Sequence, residues 1–131
     1  MSFRLTTIIL GHSLGGYFVL YCLLNSLETD DFKIKKFIAA RPSLSYNDKD
    51  LLKETRLMTF KKDLPGKLYV SMGSLDQDTT KNENIFLEFK NQIELGGHNG
   101  AKTKFVEYSN FEHMDAALPG FIKGLIFIFE K

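Results

Sequence analysis

Short runs of β-branched and aliphatic residues alternate along this chain with longer stretches whose apolar positions recur at helical spacing. Arg4 to Leu10 (RLTTIIL) is rich in β-branched residues and stops at Gly11, the pattern of a buried strand. Leu14 to Leu27 reads as a helix that is apolar almost all round, and such a helix is expected to be covered on both sides. Lys36 to Ala40 (KFIAA) is a second short strand, halted by Pro42. From Asn47 to Phe60 the chain is charged and mildly helical, with Leu51, Leu52, Thr55 and Met58 on one side, and Pro65-Gly66 then makes a turn. Lys67 to Met72 (KLYVSM) is a third strand ending at Gly73. Thr80-Lys81-Asn82-Glu83 has capping-box spacing for the next helix, Ile85, Phe86, Phe89 and Ile93 supply its apolar stripe, and Gly96-Gly97 closes it. Lys102 to Tyr108 (KTKFVEY) is a fourth strand, and Pro119 falls in the first turn of a last helix, where proline is tolerated.

Strands alternating with helices predict an α/β fold: about four parallel strands with flanking helices and right-handed crossovers. No repeat, low-complexity tract or linker interrupts the 131 residues, so residues 1–131 are expected to form a single domain. With 44% hydrophobic residues and 12 Phe, the chain is too apolar to be intrinsically disordered. Its 17 Lys+Arg against 16 Asp+Glu leave a net charge of +1, which lacks the electrostatic footprint of a nucleic-acid binder. Cys22 is the single cysteine, which excludes an internal disulfide and a Cys-rich zinc module, and reads as a small core residue. Such usage fits a reducing compartment, so a cytoplasmic location is the expectation. The start, MSFRLTTIIL, shows no signal-peptide pattern. Leu118 to Phe129, broken by Lys123, falls short of the ~20 residues that span a bilayer, so no membrane partner is expected.

Gly11-His12-Ser13-Leu14-Gly15 is a G-x-S-x-G between a predicted strand and a predicted helix, the context of a nucleophile elbow. Composition alone yields roughly 0.05 chance matches to this pattern. A serine on a sharp strand-to-helix turn projects its oxygen above the sheet, in a strained backbone conformation. Flanking glycines are expected to leave room for strand and helix backbones. The amide of Leu14, at the positive end of the helix, is then placed to stabilise an oxyanion.

A serine needs a base, and the base an orienting acid, which in this fold's chain order follow in the sequence acid then histidine. Gly73-Ser74-Leu75-Asp76-Gln77-Asp78 comes after the third strand, and Asn110-Phe111-Glu112-His113 after the fourth. Catalytic groups gather outside the carboxyl ends of parallel strands, so Ser13, Asp76 and His113 are expected to converge. Asp78 is the alternative acid, although capping the helix near Thr80 suits it better. Glu112 reads as a surface residue and His98 as a turn residue. His12, at the variable position of the motif, is expected to pack or hydrogen-bond beside the substrate rather than act as base. Three scattered histidines without matching carboxylate or cysteine spacing give no metal signature, and no cofactor is expected.

GHSLGGYFVLYCLL, ARPSLSYNDKDLL, LYVSMGSLDQD and EHMDAALPGFIKGLIFIF together resemble the esterase D and enterobactin-esterase-like family of α/β-hydrolases. The resemblance runs through nearly the whole chain but covers only the C-terminal half of a family member, so it implies a truncated α/β-hydrolase domain. It assigns Ser13 as nucleophile, His113 as base and Asp76 as the acid, and implies a serine hydrolase acting on carboxylic esters through an acyl-enzyme. The Pro42-Ser43-Leu44-Ser45-Tyr46 stretch looks like a segment near the family's acyl or leaving-group pocket, which implies substrate contacts from Ser43, Leu44 and Tyr46. Ser45 stands where the family usually has an aromatic residue.

Everything that precedes the elbow strand in the family lies outside this sequence, including the loop with the second oxyanion-hole N–H. Losing one such donor typically costs 10²- to 10³-fold in turnover, so weak activity of the chain alone is expected. The first strand would also present an open edge that invites pairing, a route to a homodimer. Two readings follow: the catalytic half of a serine esterase acting on a small-molecule ester, or a non-catalytic remnant persisting as a dimeric or binding module.

Overall fold

The computed structural model describes residues 7–26, 34–46, 50–53, 66–73, 79–95, 102–108 and 117–130. The four β-rich runs form strands β1 (Ile8–His12), β2 (Lys36–Ala40), β3 (Lys67–Gly73) and β4 (Thr103–Tyr108). They make one parallel sheet in the order β1-β2-β3-β4. Helix α1 (Leu14–Ser26) follows β1, α2 (Thr79–Leu95) lies between β3 and β4, and α3 (Ala117–Phe129) closes the described chain. Residues 50–53 are also helical.

Alternation along each strand sorts the side chains onto two faces. Phe37, Ala39, Leu68, Val70 and Met72 join a core with α1, α2 and the buried Leu51 and Leu52. Ile38 and Tyr69 face the other way, onto Phe127 and Ile128 of α3. Because both faces of β2 and β3 are covered, those strands are almost continuously buried, as their apolar runs predict.

Helix α3 lies close on the sheet because two of its residues have no side chain. A β-carbon at Gly120 would stand 2.6 Å from Ser71 Oγ, and one at Gly124 would stand 2.8 Å from Ile38 Cγ2. Lys67 fixes the far end of this helix, donating from Nζ to the carbonyls of Phe127 (3.2 Å) and Glu130 (2.6 Å). A cation there satisfies end carbonyls and opposes the negative end of the helix dipole.

Several sequence expectations shift. Strand β1 continues through Gly11 and His12, because these residues pair with Ala39 and Ala40; residues 1–6 lie outside the described segments. Helix α2 begins at Thr79, so Thr80 lies in its first turn; Asp78 lies outside the described residues. The stripe of Ile85, Phe86, Phe89 and Ile93 is buried as its spacing predicts. Among the described residues helix α1 is covered on one side: Val19, Leu20, Leu23 and Leu24 are buried, whereas Leu14 and Phe18 are 52% and 58% exposed. The reason is topological, since β1 has a neighbour on one side only among the described strands.

Candidate active site

The end of β1 turns into α1 through a single residue. Ser13 has φ 60°, the left-handed region that side chains other than glycine rarely adopt. Its backbone is held at both ends. The Ser13 N–H donates to the carbonyl of Ala40 at 3.0 Å, carrying the ladder one step past the strand, and its own carbonyl accepts the first helical bond from Tyr17 N–H at 3.0 Å. Conformations of this cost persist where the surroundings over-determine them, and they concentrate at functional sites.

The glycines of the motif divide in their roles. A β-carbon at Gly11 would sit 2.4 Å from the carbonyl oxygen of Gly15, and one at Gly16 would sit 2.9 Å from Pro42 Cα. At Gly15 a β-carbon meets nothing within 4 Å among the described residues. Close backbone approach therefore explains Gly11 and Gly16, but not Gly15.

A second left-handed residue stands at the same end of the next strand. Arg41 has φ 43° and its N–H donates to the carbonyl of Ser71 at 2.7 Å. This turn brings the following segment back over the Ser13 bend. The Ser43 N–H donates to the Ser13 carbonyl at 3.0 Å, and the two hydroxyl oxygens lie 3.4 Å apart. Tyr46, 51% exposed, sets its ring edge-on to Tyr17 with centroids 4.8 Å apart. Tyr17 OH in turn donates to Asp50 at 3.5 Å.

The fold thus gathers Ser13, Ser43 and Tyr46 around one strand end. Leu44 departs from the expected substrate contact: only 3% exposed, it packs in the core with α1 and β2. An apolar side chain between two polar ones follows the turn geometry inward, which the linear segment does not reveal. His12 is half-buried at the end of β1. Leu14 opens α1, which puts its amide in the helix's first turn. Asp76 and Asp78 follow β3, and Glu112 and His113 follow β4; all four lie outside the described residues, as does His98. Sequence reasoning missed the Ser13–Ser43 contact, for which the only signal was the proline-led turn after β2.

Burial pushes the thiol of the half-buried Cys22 on α1 up from its ordinary value. Among the described residues, no three His, Cys, Asp or Glu side chains gather as a metal-binding group, and no helix is long and apolar enough to cross a membrane.

A parallel sheet whose strand delivers a left-handed serine to a helix N-terminus has the form of an α/β-hydrolase, and known structures share the fold. The siderophore hydrolase EstB from Aspergillus nidulans superposes with a TM-score of 0.72 at 21% identity, over 92% of this chain and 47% of that one. The BES protein from Bacillus cereus does so with a TM-score of 0.66 at 24% identity, over 95% of this chain and 45% of that one. Among curated proteins, the ferri-bacillibactin esterase BesA of Bacillus subtilis (strain 168) is 32% identical over 111 residues, 81% of this chain and 37% of BesA. No family model matches. The chain is thus similar in sequence to BesA and in fold to these hydrolases, and it spans less than half of their length.

Proposed function

We propose that this chain carries the nucleophile of a serine hydrolase acting on carboxylic esters, with siderophore esters the first substrate class to examine. The observation that supports the reading most is the left-handed Ser13 at the strand-to-helix turn, braced by Ala40 and Tyr17. In this reading Ser13 Oγ attacks the ester carbonyl while His113, oriented by Asp76, takes its proton. The carbonyl oxygen becomes an oxyanion, to which the Leu14 N–H donates. Collapse expels the alcohol, protonated by His113, and leaves an acyl group on Ser13. Water, activated by the same histidine, then releases the acid. His12, Ser43 and Tyr46 border the substrate. The relatives' names as siderophore hydrolases and a ferri-bacillibactin esterase support the ester class.

The test is covalent labelling by a fluorophosphonate probe. Modification is expected at Ser13, lost in Ser13→Ala and strongly reduced in His113→Ala. A folded, unlabelled protein overturns the reading.

A second reading, a non-catalytic module pairing through the β1 edge, draws support from the exposed Leu10, Phe18 and Tyr21. Sedimentation of a monomer, together with ester turnover, overturns it.

A further inference from the structure

We propose that Ser43 is a positioning residue for Ser13, its hydroxyl donating to the Ser13 oxygen as that oxygen loses its proton. This rests on the reading of Ser13 as nucleophile. The two residues are 30 apart in sequence, yet they meet twice: Ser43 N–H to Ser13 carbonyl at 3.0 Å, and hydroxyl to hydroxyl at 3.4 Å.

The segment carrying Ser43 is held from several directions. On one side stand the left-handed Arg41, bonded to Ser71, and Pro42, whose Cα limits position 16 to glycine. On the other, Leu44 is sunk in the core and the Tyr46 N–H donates back to the Ser43 carbonyl at 3.1 Å. The Ser43 hydroxyl is therefore presented by a fixed backbone, and only its torsion is free.

The chemistry follows from what a hydroxyl can do. It has one donor and two acceptor sites. While both serines are neutral, either can donate, and 3.4 Å is longer than the roughly 2.7–2.8 Å of a close O–H···O bond. When the Ser13 proton points to its base, only Ser43 is left to donate across the pair. That bond strengthens as negative charge grows on the Ser13 oxygen, because hydrogen bonds to charged acceptors are shorter and stronger. Contacts that are long in a resting enzyme commonly tighten in this way. The Ser43 O–H bond stays intact throughout: the proton that moves is that of Ser13, to the base, and the bond that forms is Ser13 Oγ to the acyl carbon.

A residue that merely touched substrate would change the substrate's dissociation constant; a donor to the nucleophile changes the rate of attack. Ser43→Ala keeps the backbone N–H and removes the hydroxyl alone. In the full chain it is expected to slow fluorophosphonate labelling of Ser13 by about 10- to 100-fold. The acylation burst on p-nitrophenyl acetate should slow in parallel, with the substrate dissociation constant read from that burst unchanged, and Ser43→Thr should restore most of both rates. Wild-type labelling in Ser43→Ala overturns the proposal, as does a change confined to the substrate dissociation constant or a loss that threonine does not rescue. Should Ser43→Ala fail to fold, Ser43→Cys, a weaker donor of similar size, is expected to slow labelling several-fold, and an unchanged rate overturns the proposal. An unlabelled wild-type protein defeats the parent reading instead, so the two failures are distinguishable.

Discussion

Gly11 passes so close beneath the first turn of α1 that a β-carbon on it would lie 2.4 Å from the carbonyl oxygen of Gly15, whereas a β-carbon on Gly15 itself would meet nothing within 4 Å among the described residues. The two glycines of one motif therefore respond oppositely to alanine. Gly11→Ala forces backbone apart and should cost about 3 kcal/mol or prevent folding. Gly15→Ala replaces a helical glycine and should stabilise by about 0.5–1 kcal/mol. Urea denaturation of the two variants measures both effects.

The hydroxyl of Ser71 is buried with no hydrogen-bond partner among the described residues, and it occupies the space that a side chain at Gly120 would need. Ser71→Ala is expected to raise stability by about 1 kcal/mol, since an unsatisfied buried polar group is removed. Gly120→Ala should cost about 2–3 kcal/mol in the wild-type background, by overpacking. In the Ser71→Ala background that cost should shrink by about 1 kcal/mol or more, leaving the Ala40 β-carbon as the nearest obstacle at 3.1 Å. A double-mutant cycle on unfolding free energy reads the coupling; strict additivity would contradict the packing described.

Tyr69 titrates above the ordinary range of a phenol, first because it is buried and then because its hydroxyl is hydrogen-bonded to that of Tyr108 at 2.5 Å. The folded protein thus holds this proton more tightly than the unfolded chain. Its contribution to stability is complete below the unfolded value of about 10 and declines as pH climbs above it. Tyr69→Phe should cost about 1 kcal/mol at neutral pH and flatten the alkaline decline. Urea midpoints measured through neutral and alkaline pH check both parts.

Lys67 holds the end of α3 through two carbonyls and lies 5.2 Å from the centroid of the Phe127 ring. Lys67→Met retains an apolar stem but removes the donors. It should lower stability by about 1 kcal/mol, a thermal shift of a few degrees.

The architecture was legible in the sequence where local pattern and burial agree. The runs around Phe37 and Tyr69 are flanked by packing on both faces, so their apolar composition identified them as interior strands. The spacing of Ile85, Phe86, Phe89 and Ile93 likewise pointed to the buried face of α2. The exposure of Phe18 was not legible, because an apolar residue on a helix does not say which neighbours its side of the sheet will have. At the candidate site, the elbow could be read from glycine spacing, since close approach of backbones demands it at Gly11. The meeting of Ser13 and Ser43 could not, because it depends on the turn at Arg41 returning the chain over the neighbouring strand end. The burial of Leu44 was not legible for the same reason: its direction is fixed by that turn and not by its polar neighbours.

The strand order β1-β2-β3-β4 means that β2, β3 and β4 are each hydrogen-bonded to the described strand that precedes them in the chain. Among the described strands none must wait for a distant, later one to be inserted beside it, so this part of the sheet can grow by accretion along one direction. As a ribosome delivers the polypeptide, each new strand finds its template already in place. The bend at Ser13 is then braced once the second strand arrives with Ala40 and Ser43, well before synthesis ends.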